Sequence, residues 1–169
     1  MTTNPDQVSG GARFREAVTP ADVAAVRDLV AATGFFTAEE IAIAAELVDE
    51  RLAKGADSGY EFVFVDGEAG LAGYSCYGRI PCSTCSWDLY WIAVAPDRQG
   101  DGLGRRLLEL TEQRIAAAGG VAVYAETSGR AQYEPTRAFY VRRGYATGAV
   151  FDDFYAPGDA KYVFVKSLR

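Results

Sequence analysis

A strand, a glycine-rich turn and a helix follow one another within residues 87–106, and this order constrains the fold more than any other segment of the chain. An apolar run reaches Pro96, and Gly100, Gly102 and Gly104 come just before leucines at helical spacing. Glycine allows backbone angles and close approaches that a Cβ atom would prevent, so successive N–H groups can converge on an anion at a helix N-terminus. The segment therefore predicts a phosphate-binding loop.

Three arginines beside this turn indicate that its ligand is an anion. Arg98, Arg105 and Arg106 flank the glycines, although the chain carries a formal net charge of -6. A P-loop is excluded, because Gly104 is followed by arginine and not by the Lys-Ser/Thr pair that reaches the terminal phosphates and magnesium. A dinucleotide fingerprint is disfavoured, since the glycine spacing is too even and the motif lies in the second half of the chain.

The spacing is instead that of a Gln-x-x-Gly-x-Gly motif, formed by Gln99, Gly102 and Gly104. This motif resembles the acetyl-CoA pyrophosphate loop of the GNAT family of N-acetyltransferases. The resemblance covers residues 87–145 in family order and includes the segment FYVRRGY, which is similar to the family's FYxxxGF signature. One departure concerns Tyr133, which stands where many members of the family carry an asparagine that contacts the cofactor arm.

The resemblance implies a single α/β (α+β) domain with a mixed, mostly antiparallel twisted sheet. About six to seven strands and about four flanking helices are expected, with the cofactor in a splay between two central strands. Residues 12–169 would form this GNAT-like acetyltransferase domain, and the polar residues 1–11 are expected to be a disordered tail. The local pattern also predicts a helix capped by Thr37 and a loop over residues 152–160.

The resemblance implies that acetyl-CoA is the cosubstrate. It also implies that one strand and the loop after that strand contact this cofactor. The backbone N–H groups of residues 100–105 would hold the pyrophosphate, and Ile92 and Val94 would pair through their backbone with the pantetheine arm. The predicted cofactor-binding residues are Ile92, Ala93, Val94, Arg98, Gln99, Gly100, Asp101, Gly102, Leu103, Gly104 and Arg105.

Proton transfer must occur without imidazole, because the sequence has no histidine. Tyr140 matches the family tyrosine that protonates the leaving thiolate, whereas its neighbour Phe139 is expected to pack in the core. Glu126 matches a glutamate that acts through water as the base in some members, and Asp88 in the preceding strand is the alternative. A solvated strand end is the other interpretation of Glu126, and aromatic packing is the other interpretation of Tyr140.

Candidate substrate contacts come from two loops of the predicted fold. The resemblance places them at Phe35 and Phe36 between the first two helices, and at Asp153 and Tyr155 in the last loop. Aromatic rings beside carboxylates suit an amine with an apolar neighbour, and they equally suit ordinary packing and capped turns. The predicted reaction is acetyl transfer to a primary amine of a small molecule or amino acid. A protein N-terminal or lysine acetyltransferase and a catalytically silent acyl-CoA-binding or sensor domain are the alternatives.

Composition excludes several other classes of protein. The acidic balance argues against a nucleic-acid binder, which needs an excess of Lys and Arg, and it suits a cationic substrate. No apolar run approaches the length of a membrane span and no signal peptide is apparent, so we expect a cytoplasmic protein without a membrane partner. Cys82 and Cys85 form a C-x-x-C pair, but with one further cysteine and no histidine we expect no metal site. A homodimer is compatible with the sequence.

Overall fold

The computed structural model describes residues 7–8 and 11–169 of the chain. The expected tail covers residues 1–11, of which residues 1–6 and 9–10 lie outside the described residues, whereas Gln7 and Val8 form a short strand. The chain divides into two compact units, each described by itself below. The first unit comprises Met1–Gly78 with Trp91–Thr111, and the second comprises Arg79–Tyr90 with Glu112–Arg169.

Within the described residues, the secondary structure is a mixed, mostly antiparallel set of strands with four α-helices, which confirms the expected fold class. The two-residue first strand brings the number of strands to eight. In chain order the elements are β1 (Gln7–Val8), β2 (Ala12–Arg15), α1 (Ala21–Ala32), α2 (Ala38–Lys54), β3 (Glu61–Gly67), β4 (Gly70–Arg79), β5 (Ser86–Val94), α3 (Leu103–Ala117), β6 (Ala122–Ser128), α4 (Glu134–Arg142), β7 (Ala146–Ala156) and β8 (Asp159–Ser167).

The first unit is an antiparallel meander covered by two helices. Strand β1 pairs with β2, β2 with β3 and β3 with β4, all antiparallel. A two-residue turn joins β3 to β4, whereas α1 and α2 lie between β2 and β3 in the chain. Helix α2 begins at the predicted cap, where Thr37 Oγ1 accepts a hydrogen bond from Glu40 N and the Glu40 carboxylate accepts one from Thr37 N. The helices and strands bury an apolar core whose members include Val26, Val48 and Phe64.

The C-terminal part of β5 lies beside β4 within the first unit. Ala95 N donates a hydrogen bond to Ala72 O over 2.9 Å, just beyond the end of the strand. A Cβ atom added to Gly73 would lie 3.0 Å from Ala93 O, so this glycine permits the close approach of the two backbones. The approach fixes the strand that leads directly into the glycine-rich loop.

The second unit contains the N-terminal part of β5 followed by β6, β8 and β7. The first four residues of β5 and β6 pair in parallel, from Ser86 with Ala122 to Leu89 with Ala125. Strand β8 then pairs in antiparallel fashion with β6 over seven residues, Ala122 to Ser128, and with β7 on its other side. Strand β6 is therefore paired on both sides in its first half.

The predicted loop over residues 152–160 is wrong in extent, because strand β7 continues through it. Phe151 pairs with Lys161 and Ala156 pairs with Asp159, so residues 152–155 form a bulge opposite the single residue Ala160. The actual turn lies at residues 157–158, where Gly158 adopts a φ of 81° after a proline. A proline–glycine pair makes a tight turn, which allows the strands to pair again at once.

Candidate functional site

The loop after β5 has the backbone that its glycines predict. A short 3-10 turn at Pro96–Arg98 is followed by Gly100 and Gly102, whose φ angles are 91° and 79°. A Cβ atom at either glycine would meet no heavy atom within 4 Å, so the space in front of the loop is open. These left-handed conformations favour glycine, which explains both positions by local backbone geometry.

Six successive backbone N–H groups are left for a ligand at this loop. Helix α3 makes its first backbone bond from Arg106 N to Gly102 O, over 3.1 Å. Across the described part of the chain, the N–H groups of residues 100–105 have no acceptor, as expected at the first turn of a helix. The Gln99 side chain donates to Val94 O over 3.2 Å, so the glutamine of the motif joins the loop to the end of β5.

The arginines of the loop have carboxylate neighbours. Arg98 Nε donates to Asp101 Oδ2 over 3.0 Å, and Arg105 Nε lies 3.8 Å from Glu109 Oε1. The Arg105 side chain is 61% exposed, so its guanidinium remains accessible to an anion from solvent. Free N–H groups, open space and an accessible cation fit a pyrophosphate, and nothing in this geometry fits it poorly. The expected backbone contacts of Ile92 and Val94 to a cofactor arm remain a prediction.

Tyr140 lies on α4 in the second unit and is the buried member of the aromatic pair. Its ring is 5.3 Å from that of Phe164 in a stacked arrangement and 5.3 Å from that of Tyr145 in an edge arrangement. Tyr140 is 4% exposed, whereas Phe139, for which a core position was expected, is half-buried. Burial raises the pKa of the Tyr140 phenol, so the hydroxyl stays protonated through the neutral range.

The two candidate bases lie on one face of the second unit's sheet. Asp88 pairs with Tyr124, and Glu126 is two residues further along β6, so both side chains project to the same side. Glu126 is half exposed, and its Oε2 lies 2.5 Å from Nζ of Lys161 on β8. Burial raises the pKa of Asp88, and the Glu126 carboxylate raises it further, while Lys161 acts in the opposite direction.

The candidate acid lies on the opposite face of the same sheet. Glu126 pairs with Val163 and Ala125 pairs with Phe164, so Glu126 and Phe164 project to opposite sides. Tyr140 stacks on Phe164 and therefore belongs to the face away from the carboxylates. The structure thus does not gather Tyr140, Glu126 and Asp88 in one cluster. It places the candidate acid on one face and the candidate bases on the other.

Sequence reasoning missed Lys161, which acts on this region from β8. The sequence associates Asp159 with the substrate contacts of the last loop, and the structure gives it a structural role. Asp159 Oδ1 accepts hydrogen bonds from Ser128 Oγ over 2.6 Å and from Gly129 N over 3.1 Å, so it holds the segment that leads to α4. The pairing of Lys161 with Glu126 depends on the register between β6 and β8, and no local pattern in the sequence contains that register.

The predicted substrate residues are divided between the two units. Phe36 packs 4.9 Å from Trp91 within the first unit and is half-buried, as is Phe35 before it. Asp153 lies in the bulge of β7, where its Oδ1 accepts a hydrogen bond from Gly158 N over 2.6 Å. Tyr155 is exposed in the same bulge, 4.9 Å from the ring of Phe154. Asp153 therefore has a structural partner in the hairpin.

The described residues carry neither a candidate metal site nor a candidate membrane helix. No group of three or more histidine, cysteine or acidic side chains there is arranged to hold a metal ion. In that part of the chain no helix is both long enough and apolar enough to cross a bilayer.

Comparison with known proteins identifies the family. Residues 58–147 match the sequence model of the acetyltransferase (GNAT) domain. A crystal structure of a GNAT-family acetyltransferase from Desulfovibrio desulfuricans is 47% identical, with a TM-score of 0.92 over 94% of this chain and 100% of that chain. The chain belongs to the GNAT family of acetyltransferases. It is an N-acetyltransferase that uses acetyl-CoA.

More distant structures share the fold. An aminoglycoside 6'-N-acetyltransferase in complex with coenzyme A is 19% identical, with a TM-score of 0.72 over 92% of this chain and 97% of that chain. The ribosomal-protein-S18-alanine N-acetyltransferase of Escherichia coli is 18% identical, with a TM-score of 0.73 over 93% of this chain and 94% of that chain. No curated protein matches the sequence.

Proposed function

We propose that this enzyme acetylates a primary amine of a small molecule or an amino acid by direct transfer. Tyr140 is the general acid, and a carboxylate on the opposite sheet face, acting through water, is the base. The observation that carries the proposal is this separation of a buried phenol from the carboxylate pair. An acid on one side and a base on the other can serve a leaving group and an incoming amine that approach the reacting carbon from opposite sides.

Cofactor binding is assigned to the loop of the first unit. The six N–H groups of residues 100–105 donate to the pyrophosphate, and Arg105 adds a cation at the exposed side. Ile92 and Val94 hold the pantetheine arm through their backbone, and Gln99 fixes the loop by its bond to Val94 O. Acetyl-CoA, when bound, supplies the acetyl group as a thioester.

Tyr140 supplies the proton that the departing thiolate needs. A phenol has an ordinary pKa of about 10 and a thiol one of about 8.5, so donation from an ordinary phenol is uphill by a small amount, and the burial that raises the pKa of Tyr140 adds to this cost. Burial keeps the Tyr140 hydroxyl protonated until it is used, because the phenolate is poorly solvated there. The stacking on Phe164 and the edge contact with Tyr145 fix the direction of the ring.

The base removes the proton that keeps an amine from reacting. A lysine-like amine has a pKa of about 10.4, so presenting it neutral at pH 7 costs roughly 4 to 5 kcal/mol unless the site accepts the proton. Glu126 is accessible and has one carboxylate oxygen engaged by Lys161. Asp88, with its raised pKa, is the alternative acceptor on the same face.

The acceptor is proposed to be cationic before it reacts, because carboxylates and aromatic rings surround the base side. Glu126 and Asp88 lie on that face, and Phe154 and Tyr155 form an exposed aromatic pair in the β7 bulge. Two distant proteins of this fold are an aminoglycoside 6'-N-acetyltransferase and a ribosomal-protein-S18-alanine N-acetyltransferase. A panel of amines, amino acids and peptides, assayed for CoA release, separates these classes.

Cofactor binding can be tested by the same substitution at two glycines that have similar φ angles, one in the loop and one outside it. Gly102→Glu should abolish acetyl-CoA binding in calorimetry, since the new carboxylate enters the open space before the N–H groups. Gly59→Glu is the control, because Gly59 has a similar φ of 76° and equally open surroundings but lies elsewhere in the first unit. Unchanged affinity in a folded Gly102→Glu protein contradicts the site.

A further inference from the structure

The chain has three lysines. Each forms an ion pair with a glutamate, and the nitrogen-to-oxygen distances of the three pairs are nearly equal. Lys54 Nζ lies 2.6 Å from Glu50 Oε1 on the surface of α2. Lys166 Nζ lies 2.6 Å from Glu112 Oε2, and Lys161 Nζ lies 2.5 Å from Glu126 Oε2. The protein thus provides three primary amines in comparable pairs, which differ in their surroundings.

Lys161 differs from the other two in the carboxylate that it meets. Its partner Glu126 is the proposed base, and Asp88 shares the same sheet face. The ammonium also lies 4.6 Å from the ring centroid of Phe154, in a cation–π arrangement. A carboxylate on one side and an aromatic face on the other are the contacts proposed for the substrate's own amine. Lys166 also has both contacts, since its Nζ lies 5.6 Å from the Tyr145 ring centroid, but its glutamate is only 12% exposed, against 48% for Glu126. Lys161 is thus the lysine that combines the two contacts with an accessible carboxylate, which is the position of an acceptor.

We propose that Lys161 is an acetylation site of the enzyme itself, with its Nζ serving as an internal acceptor when no external amine is bound. The proposal rests on the proposed function, since it uses Glu126 as base and Tyr140 as acid. The chain's own lysine side chain would be converted to an uncharged amide.

The step balances without any further reactant. Glu126, directly or through water, takes one proton from the Lys161 ammonium and leaves a neutral amine. Glu126 passes this proton to solvent. The nitrogen forms a bond to the acetyl carbon, the bond from that carbon to sulfur breaks, and the second nitrogen proton passes through Glu126 to solvent. The thiolate leaves as the thiol with the proton of Tyr140, and solvent restores that proton.

Acetylation of Lys161 would change the base side. The acetylated nitrogen carries no charge, so the ion pair with Glu126 is lost. The Lys161 cation also acts to lower the pKa of Asp88, and this influence would disappear. The carboxylates of Glu126 and Asp88 would then be able to bind an incoming amine without competition from the Lys161 ammonium. Self-acetylation would therefore release Glu126 Oε2, the oxygen that Lys161 engages, for an external amine.

The test compares the three lysines within one protein. The enzyme is incubated with acetyl-CoA and no amine, and intact mass and peptide mapping give the acetylated fraction at each lysine. A parallel sample without acetyl-CoA is treated with an N-hydroxysuccinimide ester of acetic acid, which reports chemical reactivity alone. Lys54 should react first with the ester because its side chain is 59% exposed, against 17% for Lys161. With acetyl-CoA we expect the opposite order, in which Lys161 is acetylated before Lys54.

Two variants separate catalysis from chemical labelling. In Tyr140→Phe the acetylation of Lys161 by acetyl-CoA should fall by about 10²-fold or more, while labelling by the ester is unchanged. Lys161→Arg should abolish the added acetyl group and the CoA released without amine, whereas Lys54→Arg should alter neither. An acetyl-CoA pattern that follows exposure, with Lys54 ahead of Lys161, overturns the proposal.

The amine panel distinguishes this failure from failure of the proposed function. If an external amine is acetylated while Lys161 stays unmodified, the self-acetylation is wrong and the proposed function stands. If neither an external amine nor Lys161 is acetylated, both are wrong. If Lys161 is acetylated as rapidly in Tyr140→Phe as in the unaltered enzyme, the modification is not catalysed by this site, and the proposal again fails.

Discussion

The two faces of the second unit's sheet carry similar ion pairs in different surroundings. On one face, Lys166 meets Glu112, whose side chain is 12% exposed, and on the other Lys161 meets Glu126, whose side chain is 48% exposed. The lysines are five residues apart on β8 and therefore project to opposite sides. The nitrogen-to-oxygen distances of the two ion pairs differ little, so the pairs are distinguished by the exposure of the glutamate. A buried carboxylate holds α3 to the sheet, and an accessible one can exchange protons with a substrate.

The largest expected effect tests the tyrosine side. Tyr140→Phe keeps the ring and removes only the hydroxyl, so turnover should fall by about 10²- to 10⁴-fold with acetyl-CoA affinity nearly unchanged. Steady-state kinetics with an amine from the panel and calorimetry measure the two quantities. Tyr145→Phe is the control, because Tyr145 is buried against Tyr140 and this change also removes only a hydroxyl. Undiminished turnover in Tyr140→Phe would show that Tyr140 only packs in the core and is not the general acid.

The carboxylate side is tested by the pH dependence of Glu126→Gln. Turnover should fall by about 10²-fold near pH 7, where the amine arrives as ammonium, and the deficit should shrink as pH approaches the pKa of the amine. The raised pKa of Tyr140 keeps the acid protonated over this range. Glu134→Gln, at an exposed position of α4, is the control. A deficit that is constant with pH would assign Glu126 to substrate orientation, and no deficit would favour Asp88 or solvent.

The two ion pairs should differ in their contribution to stability. Lys166→Met leaves the Glu112 carboxylate buried without its cation, so the free energy of unfolding should fall by about 1 to 3 kcal/mol. Lys161→Met leaves a half-exposed carboxylate that water can solvate, so the loss should stay below about 1 kcal/mol. Urea unfolding of both variants measures the difference. An equal loss of unfolding free energy in the two variants would show that the two ion pairs do not differ in their contribution to stability.

The smallest effect concerns the ionisation of Asp88. Its pKa is raised in the folded protein, so the folded state binds more protons and Asp88 costs stability as pH rises through its titration. Asp88→Asn should therefore stabilise the protein at pH 7, and the gain should vanish below the ordinary carboxyl pKa of 3.8. Thermal unfolding across this pH range gives the result. Asp49→Asn removes the same charge at an exposed position and should show no such trend.

The backbone of the glycine-rich loop could be predicted from the sequence because its determinants are local. Positive φ angles at Gly100 and Gly102 and free N–H groups at the start of a helix follow from a few consecutive residues. The cap of α2 at Thr37 is another local feature that the structure confirms. The family resemblance placed Tyr140 in the same way, through a short signature on one helix.

The base side could not be predicted, because it depends on strand register. Lys161 is thirty-five residues beyond Glu126 in the chain, and only the pairing of β6 with β8 brings the two side chains together. The bulge at residues 152–155 was missed for a related reason. Its polar and aromatic residues have the composition of a loop, while the tight turn after Ala156 restores strand pairing beyond them.

Strand β7 lies at the edge of the sheet in the second unit and exposes Val150, Phe151 and Phe154. Such an edge is a template on which a second chain can add a strand, and it favours aggregation at high protein concentration. The bulge interrupts this template, because Asp153 adopts a φ of 53° and binds Gly158 N within its own hairpin. Asp152 adds a charge at the same place. The irregular hairpin therefore keeps an apolar edge soluble, and straightening it would give this enzyme a surface prone to fibril formation.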